Sequence, residues 1–462
     1  MDNAAVETVT ARRTPTWFDE EKLGIFIHWN PAVVAAYAPV ISLERLLEED
    51  ATGNLGMRLN PYSDMHWNSM AIPGSPAQRY HEQHFPGAGY DALVTAFREE
   101  VLPAWDPAPW ARLFARAGAR YVVMTTKMDD GFLMWPSGHP NPFRDGWQAR
   151  RDVVGELAEA VRGQGLRFGT YYSGGQDWTF SGLPLADLDA FMNGMPKGEN
   201  YRAYVDNHWH DLIERYRPSL LWNDYSHPGT SNVQELFEHY WRQVPDGVIN
   251  DRFADGVSGD DGAPEIYSDF LTPEQSTEGT PDRKWECCHT LGTAWGFNRM
   301  ETAASHMSAE QLIHMFADIV SRGGNLLLNV GPTAAGTIPW LQAERLLALG
   351  YWLENNGEAI YRARPWTQTR GLTGDAQPVR YTASTDAIHA IVLGTPPERR
   401  LELHLRLEDG VRVTLAGRRT WLPWQRTAYG VSVRLPDQLD PSPAVSLRLW
   451  PKEQVHPLPE NG

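Results

Sequence analysis

Cysteine is almost absent: the 462-residue chain holds two, adjacent at Cys287 and Cys288, and neighbours in sequence are poorly placed to bridge one another. No disulfide framework is therefore expected, and a reducing, cytoplasmic setting is the simplest home. Long apolar runs are missing as well. No window reaches the roughly 18 residues of a membrane span, and "MDNAAVETVTARRTPTW" has no apolar core of a secretory signal. Positive charge is short, 41 Lys and Arg against 58 Asp and Glu, for a net charge of −17. That balance argues against nucleic acid or an anionic membrane as partner. No glycine-rich phosphate loop, GxSxG elbow or Cys–His nucleophile signature occurs, and no cofactor is expected.

Tryptophan, by contrast, is abundant, with 19 residues. Most of them fill a core in any ordinary fold. A share lining a cleft would suit sugar, whose apolar ring faces stack on aromatics.

From about residue 85 to 360 the chain repeats one phrase: amphipathic helix, glycine, short apolar strand. "PAPWARLFARAGARYVVMTTK" puts Trp110, Leu113, Phe114 and Ala117 on one helical face before Gly118 and a strand. "RDVVGELAEAVRGQGLRFGTYYSGG" repeats it, as do "YVDNHWHDLIERYRPSLLWNDYSHPG" and "SAEQLIHMFADIVSRGGNLLLNVGP", the last opened by a Ser308/Gln311 capping box. Units of helix and strand in alternation predict a parallel α/β architecture, best read as a (β/α)8-type TIM-like barrel over residues 1–365. A doubly wound open sheet is the runner-up. After about residue 366, "LELHLRL", "VRVTLAG", "VSVRL" and "VSLRLW" alternate with period two. They predict a C-terminal antiparallel β-sandwich domain over 366–462. The stretch from about 254 to 300, rich in Gly, Asp, Pro and Thr, is expected to form long loops over the barrel mouth.

A barrel gathers its strand ends on one face, where its chemistry lies. The polar residues that follow the strands are Lys127 to Asp130, Ser173 to Asp177, Asn223–Asp224, Asn250 to Arg252 and Asn329. Asp224 sits at such an end, though an aspartate there also commonly caps the next helix. Arg252 offers a planar fork of donors to a carboxylate or to substrate oxygens. The loop acids Glu265 and Glu286 could oppose Asp224 across a cleft, as glycoside hydrolysis requires; loop acids are also plentiful and mostly solvated. His28 ends an early apolar strand, where a satisfied core histidine is the commoner outcome. The "HWH" of His208 to His210 lies in a helix, where side chains two apart diverge, so joint metal ligation by that pair is not expected. No metal is assigned.

Taken together, the strand ends resemble the α-L-fucosidases of glycoside hydrolase family 29. The motifs that carry the likeness span roughly residues 16–366: "WFDEEKLGIFIHWNP", "YHEQHFPG", "LRFGTYYSGGQDW", "LLWNDYSHPG", "VINDRF", "KWECCHTLGTAWGFN" and "GGNLLLNVGPTAAGTIP". The resemblance implies a barrel followed by a β-domain, and hydrolysis of a terminal α-L-fucoside or related glycoside with retention. It implies Asp224 as nucleophile and Glu265 as acid/base, with Glu286 the competing candidate. It places His28, Tyr171, Arg252, Trp67 and Trp295 against the sugar, and implies an oligosaccharide or glycoside as partner.

One motif departs. Where the family typically reads "KHHDGF", this chain has "KMDDGF", with Met128 and Asp129 in place of two sugar-binding histidines. A glutamate usual before a tryptophan is read here as His66, before Trp67. Methionine offers no donor, and an ionised aspartate only accepts. The expectation is a retaining exo-glycosidase with altered sugar specificity; the alternative is a non-catalytic carbohydrate-binding protein on the same fold.

Overall fold

The structure is a computed structural model that describes residues 12–41, 54–228, 233–254, 266–279 and 282–458. Its barrel strands are β1 (Leu23–Ile27), β2 (Tyr121–Lys127), β3 (Arg167–Ser173), β4 (Leu220–Asp224), β5 (Val248–Ile249), β6 (Glu286–His289) and β7 (Asn325–Val330). The main flanking helices are α1 (Pro107–Arg116), α2 (Val153–Gly163), α3 (Glu199–Tyr216), α4 (Val233–Gln243), α5 (Ala309–Ser321) and α6 (Trp340–Asn356). All seven strands pair in parallel, in the order β5-β4-β3-β2-β1-β7-β6. The gap between β5 and β6 is bridged by two residues, since Asn250 pairs with Phe270 and Leu271 with Trp285, both parallel. Phe270–Leu271 thus occupies the place of a strand, and the residues after it emerge on the same face as Asp224.

Local chemistry explains the units. Pro107 opens α1, Asp106 accepts from the Ala108 N–H at 2.9 Å, and Gly118 turns the chain at φ 84° into β2. Asp152 caps α2, and the Ser308/Gln311 capping box opens α5 as the sequence predicts. The strands are buried almost throughout, which is why they read as continuous apolar runs rather than alternations. Two cores result. One lies between strands and helices; the other fills the barrel, with Phe26, Tyr121, Val123, Leu220, Trp222, Phe270 and Leu327 among its members.

From Arg364 onward the chain is antiparallel. A six-stranded sheet, with Ile388–Leu393 and Ala444–Trp450 at its centre, faces smaller sheets over an apolar core of Val379, Tyr381, Leu403, Val413, Val433 and Leu447. "LELHLRL" is two strands rather than one. Arg400–Leu403 pairs with Val431–Arg434, whereas Leu405–Leu407 pairs with Val455–Pro457, the break falling at His404. These sheets pack on the barrel through α5: Arg370 and Arg380 both pair with Asp318. Among the described residues, no helix is long and apolar enough to cross a membrane.

Candidate active site

A cavity of about 230 Å³ opens at the carboxyl ends of the strands. Asp224, the last residue of β4, projects into it and is 8% exposed. Its Oδ2 accepts from the Tyr171 hydroxyl at 2.8 Å; its Oδ1 accepts from Arg252 Nη1 at 2.9 Å and from the Tyr225 N–H at 3.1 Å. Three donors fix the carboxylate, two of them on strand ends either side of β4. The chain leaves the aspartate through Tyr225 and Ser226, at φ 56° and 75°. Two successive non-glycine residues in left-handed conformation are costly and occur characteristically at functional sites. Trp222 forms part of the wall, stacked on Tyr171 at 5.4 Å, with the Arg252 guanidinium 4.6 Å from its ring centre.

Arg252 holds a second acid. Its Nη2 donates at 3.1 Å to Oε2 of Glu274, which also lines the cavity, its side chain 35% exposed. Glu274 follows Phe270–Leu271 in "FLTPEQ" and stands at a strand end like Asp224. The sequence reading missed it because a two-residue strand carries no periodicity; the signal was an apolar pair running into Thr-Pro. Of the two acids expected opposite Asp224, Glu265 lies outside the described residues. Glu286 is at the other end of the barrel. It begins β6, is fully buried, and its Oε2 accepts from the Tyr121 hydroxyl at the start of β2. Burial pushes its carboxyl up to about 7, against the lowering by Tyr121 and Trp222. It does not line the cavity, because the first residue of a parallel strand faces the end opposite to the last.

His28, Tyr171, Arg252, Trp295 and Met128 all line the cavity. The amide of Asn329 donates to the Trp295 carbonyl at 2.7 Å, so its oxygen faces His28, whose Nδ1 donates to it across 2.7 Å. That leaves Nε2 of His28 as an acceptor. Burial drives the imidazole down to about 3, so the ring is neutral.

His66 and Trp67 are not brought to the cavity. His66 is fully buried, bonded to His81 at 3.2 Å, and Trp67 stacks on Tyr90 at 5.0 Å. Tyr62, Asp64 and Met65 of the same segment line the cavity instead. The reason is local: the 3-10 turn Ser63–Met65 brings Asp64 and Met65 to the cavity, and the helix His66–Ala71 that follows directs His66 to His81 and Trp67 to Tyr90. Asp64 accepts from the Gly296 N–H at 2.9 Å, and burial pushes it up to about 6.

The "KMDDGF" turn divides its labour. Lys127 turns away, donating to the carbonyls of Ser173 and Gln176 at 2.7 and 2.9 Å and pairing with Asp177. Asp130 takes bonds from Tyr90, Asn30 and the Phe132 N–H. Gly131, at φ 75°, is required, because a Cβ there would meet the Asp177 carboxyl at 2.7 Å. Only Met128 reaches the cavity. Asp129 lies behind it, Oδ1 accepting from Ser173 Oγ at 2.6 Å. Burial raises its carboxyl well above the usual range, and nearby Asp224 pushes the same way. The expectation that Asp129 faces the sugar is corrected: it does not line the cavity, and desolvation shifts its carboxyl upward.

The α-L-fucosidase family model matches residues 2–358. The chain belongs to the α-L-fucosidase family. It is 32% identical over 451 residues to the tissue alpha-L-fucosidase of Mus musculus, covering 94% of this chain and 90% of that one. To the alpha-L-fucosidase of Dictyostelium discoideum it is 31% identical over 464 residues, covering 93% and 90%. Its fold is similar to that of the Thermotoga maritima alpha-fucosidase solved with fucose, with a TM-score of 0.83 and 34% identity over 96% of this chain and 98% of that chain. The chain is therefore a glycoside hydrolase built on a TIM-like barrel with C-terminal antiparallel sheets.

Proposed function

We propose that this fucosidase-family enzyme removes a terminal sugar with retention of configuration, Asp224 acting as nucleophile and Glu274 as acid/base. The observation that carries the reading is one guanidinium, that of Arg252, bonded to both carboxyls at the cavity wall. Two acids so tethered suit the about 5–5.5 Å carboxyl separation of a retaining pair. In the first step Asp224 attacks the anomeric carbon while protonated Glu274 gives its proton to the leaving oxygen. In the second, Glu274 takes a proton from water, which displaces the Asp224 ester. A cavity of about 230 Å³ falls below the ~300–1,000 Å³ of sites for drug-sized ligands. It suits one sugar ring, hence exo action on a terminal residue.

The sugar itself is proposed to be an α-L-fucoside or a stereochemical relative with an apolar position facing Met128. Met128 and Met65 both line the cavity, and neither has a donor. A hydroxyl buried against them would forfeit ~1–3 kcal/mol, whereas a hydrogen or methyl would not. Hydrolysis of a panel of aryl glycosides tests the reading, with Asp224→Asn as blank. The panel includes α-L-fucoside, β-D-fucoside, α-L-galactoside, the L-arabinosides and α-L-rhamnoside. Turnover of none of them above the blank sinks the assignment; α-L-galactoside, which has a hydroxymethyl where fucose has a methyl, as clear winner removes the apolar-position part alone.

A further inference from the structure

Helices α3 and α4 flank the nucleophile strand, α3 leading into β4 and α4 following it. Their outer faces carry a cluster unrelated to the cavity. His208 and His210 do diverge: His208 is buried, its Nδ1 2.8 Å from the Tyr172 hydroxyl and its Nε2 2.7 Å from the His139 carbonyl oxygen. His210 instead turns to the facing helix. Its ring centre lies 4.6 Å from that of His239 on α4, and Glu214 stands one turn further along α3. The positions i and i+4 bring His210 and Glu214 onto one stripe. One ligand atom from each of the three residues can be chosen so that all lie within 4.8 Å of one another. The His239 Nε2 to Glu214 Oε1 distance is 3.5 Å, and that Nε2 is buried with no hydrogen bond among the described residues.

We propose that His210, Glu214 and His239 form a binding site for a first-row divalent transition-metal ion, zinc fitting the donor set best. Two imidazoles and a carboxylate are zinc ligands, and with metal–ligand bonds of about 2.0–2.2 Å, donors this close need only small rotamer shifts. Water completes the shell on the exposed side. The ion would staple two helices that bracket β4, which makes the site structural and separate from hydrolysis. Arg242, which follows His239 on α4, opposes a cation there.

Full-length enzyme stripped with a chelator and dialysed against zinc should retain one equivalent per chain. Its melting temperature should rise by about 2–4 °C at zinc well above Kd. Glu214→Gln and His210→Ala, both on the outer face, and His239→Ala should each weaken zinc binding roughly tenfold or more. His456→Ala, which removes a His–Glu pair in the C-terminal sheet, should retain the wild-type stoichiometry. No stoichiometric zinc on the wild type overturns the proposal. So does wild-type affinity in Glu214→Gln and His210→Ala, whichever way His239→Ala folds.

Discussion

The two ends of the barrel each carry a buried acid, and they are organised in opposite ways. At the carboxyl end, Asp224 meets three donors and an open cavity, and Arg252 links it to the part-exposed Glu274. At the amino end, Glu286 is sealed: Tyr121 donates to it, and Lys284, whose charge also lowers the acid, makes its bonds to Asp19, Asn325 and the Gly323 carbonyl. Trp222, of β4, touches both neighbourhoods, forming cavity wall on one side and approaching Glu286 on the other. An acid at a strand end is placed to meet substrate; the same residue type at a strand start, walled in by aromatics, contributes to the packing of the barrel floor.

The largest effect should come from the upper acid. Asp224→Asn keeps the shape and the bond from Tyr171 but removes the nucleophile, so kcat should fall by roughly a thousandfold or more, about 4 kcal/mol of barrel-top catalysis. An unchanged melting curve beside that loss places the effect in chemistry; retained turnover would end the assignment. Next comes Glu274→Ala, expected to cost about 10²–10⁴ on substrates with poor leaving groups and far less on activated aryl glycosides. Azide should restore turnover with an activated substrate, since departure then needs no proton. Rescue of Glu265→Ala instead would move the acid/base role onto the other loop acid. Met128→His should act at the level of choice between sugars: about a tenfold gain for α-L-fucoside over the best wild-type substrate, or ~1.4 kcal/mol of discrimination. No gain in a folded variant would free Met128 of any say in specificity.

The contrast also explains what could be read from the chain alone. Long periodic segments such as α1, α5 and β7 declare themselves, so the barrel, its strand ends and the positions of Asp224, Arg252 and Tyr171 were legible. Glu286 misled because "KWECC" is a conspicuous motif whose residues belong to a strand that starts, rather than ends, at the acid. Glu274 stayed hidden because Phe270–Leu271 is held in the sheet by its neighbours' edges and has no pattern of its own. His66 and Trp67 were off by two residues, and a 3-10 turn meeting a helix at His66 shifts which side chains face inward. Asp129 was expected at the sugar but lies behind Met128, and the upward shift of its carboxyl comes from burial, which no local sequence window records.

The smallest expected effect on catalysis is at the lower acid, where stability responds instead. Glu286 has a folded pKa of about 7 against 4.5 unperturbed. Below pH 4.5 it is protonated in both states and has no pH-dependent effect. Between 4.5 and 7 the unfolded chain releases the proton and the folded one holds it, so the folded state loses ground as pH rises. Above 7 the loss is complete, on the order of 3 kcal/mol. Glu286→Gln keeps an acceptor for the Tyr121 hydroxyl and cannot ionise. Its melting temperature relative to wild type should therefore rise from pH 5 to pH 8. Asp64, Asp130 and Asp269 also titrate upward in the fold, so the difference between the two proteins, rather than either curve alone, isolates Glu286. Its kcat should stay within about twofold of wild type, because the Glu286 carboxyl does not line the cavity and is not placed for proton transfer to the substrate. A pH-independent difference would show that Glu286 is ionised in the folded state. A hundredfold loss of kcat rescued by azide would carry acid catalysis to the floor and erase the distinction between the two ends.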